Sequence, residues 1–219
     1  MKYQALIFDL DGTLLDTLDD LADGVNAALR MHGYPTKTRD EVCAAVGNGM
    51  VKLIERVVPG GREDLLFDRV LADFKQYYGA HCEDKTAPYP GIPELLEKLR
   101  ASGVKTAIVS NKADYAVKKL AKAWFADTVP VAIGENEAAG IRKKPAPDTV
   151  DLALRELGLT RDQAAYVGDS EVDIVTARNC EMPCLSVTWG FRSRDYLKAE
   201  GAETLLDTAQ ALWEEVCGE

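Results

Sequence analysis

Two aspartates spaced two residues apart, Asp9 and Asp11, are the first candidates for chemistry in this sequence. They follow an apolar run and precede Gly12, so both carboxylates can project into one crevice at the end of a strand. Neighbouring carboxylates repel each other unless a cation or a shared proton offsets the repulsion. Mg²⁺, which takes oxygen ligands and keeps several waters, is the natural partner of such a pair. A plain turn built from Asp and Gly is the alternative interpretation.

A second acidic pair, Asp169 and Asp173, follows another apolar run. Asp169 stands where that run ends, and Asp173 lies four residues further on, which places both on one edge of a helix. The alternative interpretation is an ordinary helix N-terminus, where Ser170 caps the helix and acids are favoured in the first turn. This interpretation explains why a serine is present at 170. It does not account for Asp169, which therefore stays a candidate for the same crevice.

Polar and basic groups stand beside two further segments. Ser110 and Asn111 follow an apolar run, where a hydroxyl and an amide can donate hydrogen bonds to phosphate oxygens. Capping a helix is the commoner role of such residues. Lys144 lies beside Pro145 in a basic cluster and can offer a fixed positive charge to an anion. A solvated basic cluster is the alternative interpretation of Lys144.

Five short apolar runs predict the strands that position these residues. Each is rich in β-branched or aromatic residues, and helical patterns separate most of them, which favours a buried parallel sheet. We therefore predict an α/β fold with a doubly wound, Rossmann-like parallel sheet of five to six strands. The sites of such folds lie beyond the carboxyl ends of the strands. The runs are Tyr3–Phe8, Val104–Val109, Val129–Ile133, Ala164–Val167 and Cys184–Thr188.

Residues 15–81 break this alternation, because they contain no convincing strand. Breaks at Gly33–Pro35 and Pro59–Gly61 separate three helical patterns, at 16–31, 40–57 and 63–80. The sequence thus predicts an α/β core domain formed by 1–14 and 82–219, with a small all-helical domain inserted at 15–81.

Charge and composition exclude several classes of protein. The 219 residues carry 26 Lys and Arg against 36 Asp and Glu, and the formal net charge of −10 argues against a nucleic-acid binder. Five cysteines without a CxxC pair, and only two histidines, disfavour a zinc site. The odd number of cysteines favours reduced thiols. No apolar run approaches the ~20 residues that cross a bilayer. We predict a cytoplasmic protein with neither nucleic-acid nor membrane partners, as a monomer or a homodimer.

Taken in order, these groups resemble the four motifs of the haloacid dehalogenase superfamily. The matching residues are Asp9–Thr17, Ser110, Lys144–Pro145 and Gly168–Asp173. The helical insert is similar to the cap domain that follows the first motif in this family, so the resemblance covers nearly the whole chain. Val46–Gly49 and Val187–Arg192 are similar to segments of the phosphoglycolate phosphatase subgroup.

The resemblance implies a Mg²⁺-dependent phosphatase that works through an aspartyl-phosphate. Asp9 would be the nucleophile, and Asp11 would protonate the leaving alkoxide and later deprotonate the attacking water. Ser110 and Lys144 would hold the phosphate, together with the backbone near Asn111. The substrate would be a small phosphorylated metabolite, with 2-phosphoglycolate as the preferred candidate.

The same resemblance implies a metal site and a cap that selects the substrate. Mg²⁺ would be bound by Asp9, Asp169 and the backbone carbonyl of Asp11. Asp173 would orient these ligands without contacting the ion itself. The remaining candidate substrate contacts are Gly47, Asn48 and Arg192.

Other activities stay open beside this one. Within the family they are a phosphosugar mutase, a pyrophosphatase and a nucleotidase. A dehalogenase is disfavoured, because it needs no metal and would not require both Asp11 and Asp169. The alternative from a different class is a phospho-accepting signalling or binding domain. That class shares a phosphorylated aspartate, a hydroxyl and a lysine, but it predicts adjacent acids and no helical insert.

Overall fold

The computed structural model describes residues 1–218, which form two compact units. The first unit joins Met1–Leu15 to the chain from Pro88 onward, and the second is Asp16–Ala87. The sequence-based boundary was residue 81. The second unit extends further because the buried carboxylate of Asp20 accepts hydrogen bonds from the backbone N–H groups at 85–86, at 3.0 and 2.9 Å.

A parallel β-sheet lies at the centre of the first unit. The strands of the described chain are β1 (Ala5–Phe8), β2 (Leu15–Asp16), β3 (Ala87–Pro88), β4 (Lys105–Ala113), β5 (Val131–Glu135), β6 (Ala164–Gly168), β7 (Cys184–Val187) and β8 (Thr204–Leu206). Among residues 1–218, six of them form one sheet in the order β5-β4-β1-β6-β7-β8, and β2 pairs with β3. The predicted doubly wound parallel sheet is confirmed. The five apolar runs missed β8, because three residues are too few to show a pattern.

The second unit consists of helices. Within residues 16–87, all of them described, the helices are α1 (Leu18–Met31), α2 (Arg39–Ala45), α3 (Met50–Val57) and α4 (Phe67–His81), with a 3-10 helix at Gly61–Glu63. Helices α1 and α4 pack together and bury apolar side chains such as Val25 and Phe74. The single helix expected over 40–57 is two helices. Gly47 and Gly49 have φ angles of 126° and 84°, which a right-handed helix cannot contain.

Helices and apolar strands make the core of the first unit. The helices described there are α5 (Ile92–Ala101), α6 (Asp114–Phe125), α7 (Asp148–Leu157), α8 (Glu171–Asn179), α9 (Arg194–Ala199) and α10 (Ala209–Cys217). All residues of β1 are fully buried, as expected of a central strand covered on both faces. Apolar side chains from several elements meet in one cluster that includes Ile7, Val109, Ile133, Leu154 and Tyr166.

The strand β4 extends beyond its neighbour at the carboxyl edge of the sheet. β1 pairs with β4 up to Phe8 and Ile108, whereas β4 continues to Ala113. The register between β4 and β5 is irregular after Val109. Residues 110–112 therefore lie past the last regular pair with β1, beside the segment that follows β1. Because the strands are parallel, the carboxyl end of β6 lies at the same edge of the sheet.

Two further sequence-based expectations concern the membrane and the thiols. Within residues 1–218, none of the helices combines the length and the apolar composition that crossing a bilayer requires. The five cysteines are all free thiols.

Candidate active site

The carboxylate of Asp9 lies directly after β1, at the carboxyl edge of the sheet. Its Oδ1 is 2.9 Å from Nζ of Lys144 and accepts a hydrogen bond of 2.7 Å from the backbone N–H of Leu10. Burial raises the pKa of Asp9 to about 7, against the opposing effect of the Lys144 charge. A nearby cation therefore decides how much of this carboxylate is ionised at neutral pH.

The ammonium of Lys144 is enclosed by acceptors. Its side chain is only 2 % exposed, and besides Asp9 it donates to Oδ1 of Asp173 at 2.8 Å and to the hydroxyl of Tyr166 at 3.0 Å. Burial lowers the pKa of Lys144, but Asp173 and Asp9 raise it by more, so the net pKa lies above the ordinary value. Lys144 is therefore a permanent positive charge in a fixed position.

The carboxylate of Asp173 links the helix start to the site. Its Oδ2 accepts hydrogen bonds from the backbone N–H of Ser170 at 3.1 Å and from the Ser170 hydroxyl at 2.6 Å. Its Oδ1 accepts from Lys144 and from the hydroxyl of Tyr166 at 3.1 Å. The predicted helix start at Ser170 is confirmed, and the same acid also holds Lys144.

The carboxylate of Asp169 is held from two sides. Oδ2 accepts from the backbone N–H of Phe191 at 2.7 Å, and Oδ1 accepts from the hydroxyl of Thr13 at 3.2 Å. Burial raises the pKa of Asp169 well above its ordinary value, and the charges of Asp173 and Asp9 raise it further. A buried carboxylate beside two others is costly unless a cation is bound.

These buried acids fit a divalent cation. Oxygens of Asp9, Asp169 and Asp173 lie within 4.8 Å of one another. A divalent ion would reverse the upward pKa shifts of Asp9 and Asp169, and hard carboxylate oxygens are the ligands that Mg²⁺ prefers. Asp173 already accepts four hydrogen bonds, one of them from the ammonium of Lys144, whereas Asp169 accepts two from neutral donors. Asp9 and Asp169 are therefore the side chains better suited to direct ligation.

Two glycines keep the space around Asp169 open. A Cβ at Gly12 would lie 2.3 Å from Oδ2 of Asp169, and the φ angle of Gly12 is +83°. A Cβ at Gly190 would lie 2.2 Å from the carbonyl oxygen of Gly12 and 2.4 Å from Oδ2 of Asp169. No sequence pattern by itself indicates this role of Gly190. Only the resemblance of Val187–Arg192 to a phosphatase subgroup pointed to this segment.

Gly190→Ala is expected to weaken cation binding, because the new methyl group must displace Asp169 or the Gly12 carbonyl. Groups that orient a metal ligand typically contribute about 10- to 100-fold to metal affinity or activity. The measurement is the Mg²⁺ concentration that half-saturates the thermal stabilisation of the protein, together with phosphate release. Gly103→Ala is the control: its φ of +78° makes alanine costly to stability, but nothing lies within 4 Å of a Cβ there, so its Mg²⁺ midpoint should equal that of the wild type. An unchanged Mg²⁺ midpoint in Gly190→Ala would contradict the assignment.

The extended end of β4 carries Ser110 and Asn111, the two residues expected to contact phosphate. Ser110 is buried, and its Oγ accepts a hydrogen bond of 3.2 Å from the backbone N–H of Lys112. The Nδ2 of Asn111 donates to the backbone carbonyl of Lys144 at 3.0 Å. Asn111 therefore fastens the segment that carries Lys144 to the end of β4. The phosphate contacts of Ser110 and Asn111 stay predictions.

A second buried lysine, Lys112, was not singled out from the sequence. Its Nζ lies 2.7 Å from Oδ1 of Asp11, and the two side chains are 4 % and 14 % exposed. The available signal was alternation along β4, which places Lys112 on the same side as Ser110. Lys112 therefore adds a second buried lysine to this acidic edge of the sheet.

The remaining predicted substrate contacts have partners within their own units. Nε of Arg192 pairs with the carboxylate of Glu171 at 3.1 Å. In the helical unit, Oδ1 of Asn48 accepts from Nη2 of Arg56 at 2.6 Å, and the neighbouring Gly47 has a positive φ angle. Contact of Arg192, Asn48 or Gly47 with a substrate stays a prediction.

Known proteins similar to this chain share both its sequence pattern and its fold. Residues 6–187 match the model of the haloacid dehalogenase-like hydrolase family. A phosphoglycolate phosphatase of Pseudomonas putida is 32% identical over 94% of this chain and 77% of its own length. One from Rhodobacter capsulatus is 36% identical over 86% of this chain and 85% of its own. The crystal structure of a protein provisionally named phosphoglycolate phosphatase, from Lactobacillus delbrueckii subsp. bulgaricus, has a TM-score of 0.92, with 41% identity and full coverage of both chains.

Proposed function

The chain belongs to the haloacid dehalogenase-like hydrolase family, and on that premise we propose that it is a Mg²⁺-dependent phosphatase of small phosphate monoesters. The observation that supports this function best is the buried Asp9 carboxylate, fixed by Lys144 at 2.9 Å beside Asp169 and Asp173. That arrangement provides a nucleophile, a permanent cation and oxygen ligands for a metal ion at one edge of the sheet.

The first step transfers the phosphoryl group to Asp9. A carboxylate oxygen of Asp9 attacks phosphorus in line with the ester oxygen, and the bond between phosphorus and that oxygen breaks. The electron pair leaves with the alkoxide, which takes a proton from the carboxyl group of Asp11. Lys144 and Ser110 hold the phosphoryl oxygens, and Lys144 limits the charge that accumulates on Asp9.

The second step returns Asp9 to its starting state. Asp11 takes a proton from a water molecule, whose oxygen attacks the phosphorus of the aspartyl-phosphate. The acyl phosphate bond breaks, which releases inorganic phosphate and restores the Asp9 carboxylate and the Asp11 carboxyl group. Protons and electrons therefore balance over the two steps, and the overall reaction is hydrolysis of a phosphate monoester.

The divalent cation would be held by the carboxylates of Asp9 and Asp169 and by the backbone carbonyl of Asp11. When bound, such an ion supplies positive charge that allows an anionic nucleophile to approach an anionic phosphate. Asp173 keeps Lys144 and the start of α8 in place beside these ligands.

The preferred substrate is 2-phosphoglycolate. The support is the name shared by the relatives from P. putida and R. capsulatus, at 32% and 36% identity, and by the L. delbrueckii protein at 41%. The shared name of two relatives from different organisms, with the provisional name of the third, favours this substrate over sugar phosphates, pyrophosphate and nucleotides.

The wild-type protein is expected to release phosphate from 2-phosphoglycolate in the presence of Mg²⁺ and to stop when the metal is chelated. The measurement is inorganic phosphate release over a panel that includes 2-phosphoglycolate, sugar phosphates, nucleotides and pyrophosphate. Activity should return when excess Mg²⁺ is added to the chelated sample. Phosphate release from none of these compounds would refute the proposed function, and full activity under chelation would refute the metal requirement.

A further inference from the structure

The ion pair between Lys112 and Asp11 points to the group that recognises the leaving part of the substrate. We propose that Lys112 selects phosphate esters whose leaving group carries a carboxylate on the carbon beside the ester oxygen. This inference rests on the proposed function, because it assigns Asp11 to the leaving oxygen. It adds a specificity-determining residue that the four motifs do not contain.

The position of Lys112 follows from the extended end of β4. Lys112 lies two residues beyond Ser110, and its backbone N–H donates to the Ser110 hydroxyl at 3.2 Å. One short segment therefore carries both a candidate phosphate contact and a lysine. Asn111 between them is fastened to the backbone carbonyl of Lys144 at 3.0 Å, which holds the segment in place.

With Asp11 as the general acid, the ammonium of Lys112 would lie close to the leaving oxygen of a bound substrate. Nζ lies 2.7 Å from Oδ1 of Asp11, and the general acid must itself come within hydrogen-bond distance of the ester oxygen. Lys112 and the ester oxygen can both contact Oδ1 of Asp11. In that case Nζ of Lys112 and the ester oxygen lie within about 6 Å of each other. A carboxylate separated from the ester oxygen by one carbon falls inside that distance.

Substrate recognition explains the buried ion pair of Lys112 and Asp11 better than a contribution to fold stability does. The Lys112 side chain is 4 % exposed, and removing two charges from water offsets much of the energy of an ion pair. An ammonium has three N–H donors, so Lys112 can donate to Asp11 and to a substrate carboxylate at the same time. Asp11 would then stay in place while the anionic leaving group is bound.

The first test compares two substrates that differ in one group, 2-phosphoglycolate and ethyl phosphate. In Lys112→Met, kcat/KM for 2-phosphoglycolate is expected to fall about 30-fold more than kcat/KM for ethyl phosphate, mainly through KM. Lys122→Met, which removes an exposed lysine of α6, is the matched control and should leave the ratio of the two substrates unchanged. Equal losses on both substrates would overturn the proposal.

A second test avoids leaving Asp11 buried without its cation. It compares the single variant Asp11→Asn with the double variant Asp11→Asn/Lys112→Met. Both lack the general acid, so substrate binding can be measured without turnover. Calorimetry should show 2-phosphoglycolate binding at least about tenfold more weakly to the double variant, with a smaller change for ethyl phosphate. A merely structural role would weaken both ligands alike, and that result would overturn the proposal.

The two proposals fail in different ways. A wild-type protein that hydrolyses neither ester would refute the proposed function together with the role of Lys112. A wild-type protein that hydrolyses 2-phosphoglycolate, with a preference over ethyl phosphate that survives Lys112→Met, would refute only the role of Lys112.

Discussion

Asp9→Asn is expected to reduce phosphate release by on the order of 10⁴-fold or more, because losing a nucleophile removes the covalent route altogether. An amide has nearly the size of a carboxylate but does not attack phosphorus. The measurement is the steady-state rate with 2-phosphoglycolate at saturating Mg²⁺. Asp195→Asn, which changes an exposed acid of α9, is the matched control and should keep full activity.

The same variant is expected to remain folded. The pKa of Asp9 is about 7, so its neutral and ionised forms are similarly populated at neutral pH when no metal is bound. Lys144 keeps Asp173 as a partner at 2.8 Å after the Asp9 charge is lost. Thermal unfolding should therefore show a midpoint within a few degrees of the wild type. Near-normal turnover in the folded variant would exclude Asp9 as the nucleophile.

Lys144→Met is expected to reduce both turnover and stability. Removing one partner of a buried charge pair typically costs about 3–5 kcal/mol, and here two acids, Asp9 and Asp173, lose their cation. Loss of a fixed charge that stabilises the transition state lowers turnover by on the order of 10³-fold. Urea unfolding at pH 7 measures the first effect, and phosphate release measures the second.

Lys143, the neighbour of Lys144 in the sequence, provides the control for Lys144→Met. Lys143 lies 3.5 Å from the carboxylate of Glu137, and the two side chains are 32% and 54% exposed. An exposed ion pair contributes little, so Lys143→Met should change the unfolding free energy by less than about 1 kcal/mol. Similar losses of stability in both variants would show that burial of the Lys144 charge is not the cause.

Sequence patterns indicate the candidate site because two of its acids directly follow apolar runs. Asp9 ends the run that becomes β1, and Asp169 ends the run that becomes β6. Parallel strands bring such carboxyl ends to one edge whatever the details of packing. Residues of the first, third and fourth motifs lie together at this edge, with Lys144 within hydrogen-bond distance of both Asp9 and Asp173. Their roles in catalysis stay predictions.

Features that depend on tertiary contacts were not predictable in this way. The pairing of Lys112 with Asp11 joins residues 101 positions apart and depends on the register of β1 against β4. Periodicity predicts that a strand exists but not how it is aligned with its neighbour. Gly190 is required by the close approach of Gly12 and Asp169, and no local pattern reports such an approach.

Asp173 has two structural roles, which limits the substitutions that this position can tolerate. One carboxylate anchors the first turn of α8 through Ser170 and also holds the ammonium of Lys144. A substitution of Asp173 would remove contacts of both the helix start and the candidate active site at once. We therefore expect that substitutions which change substrate choice without lowering stability are tolerated at other positions and not at Asp173.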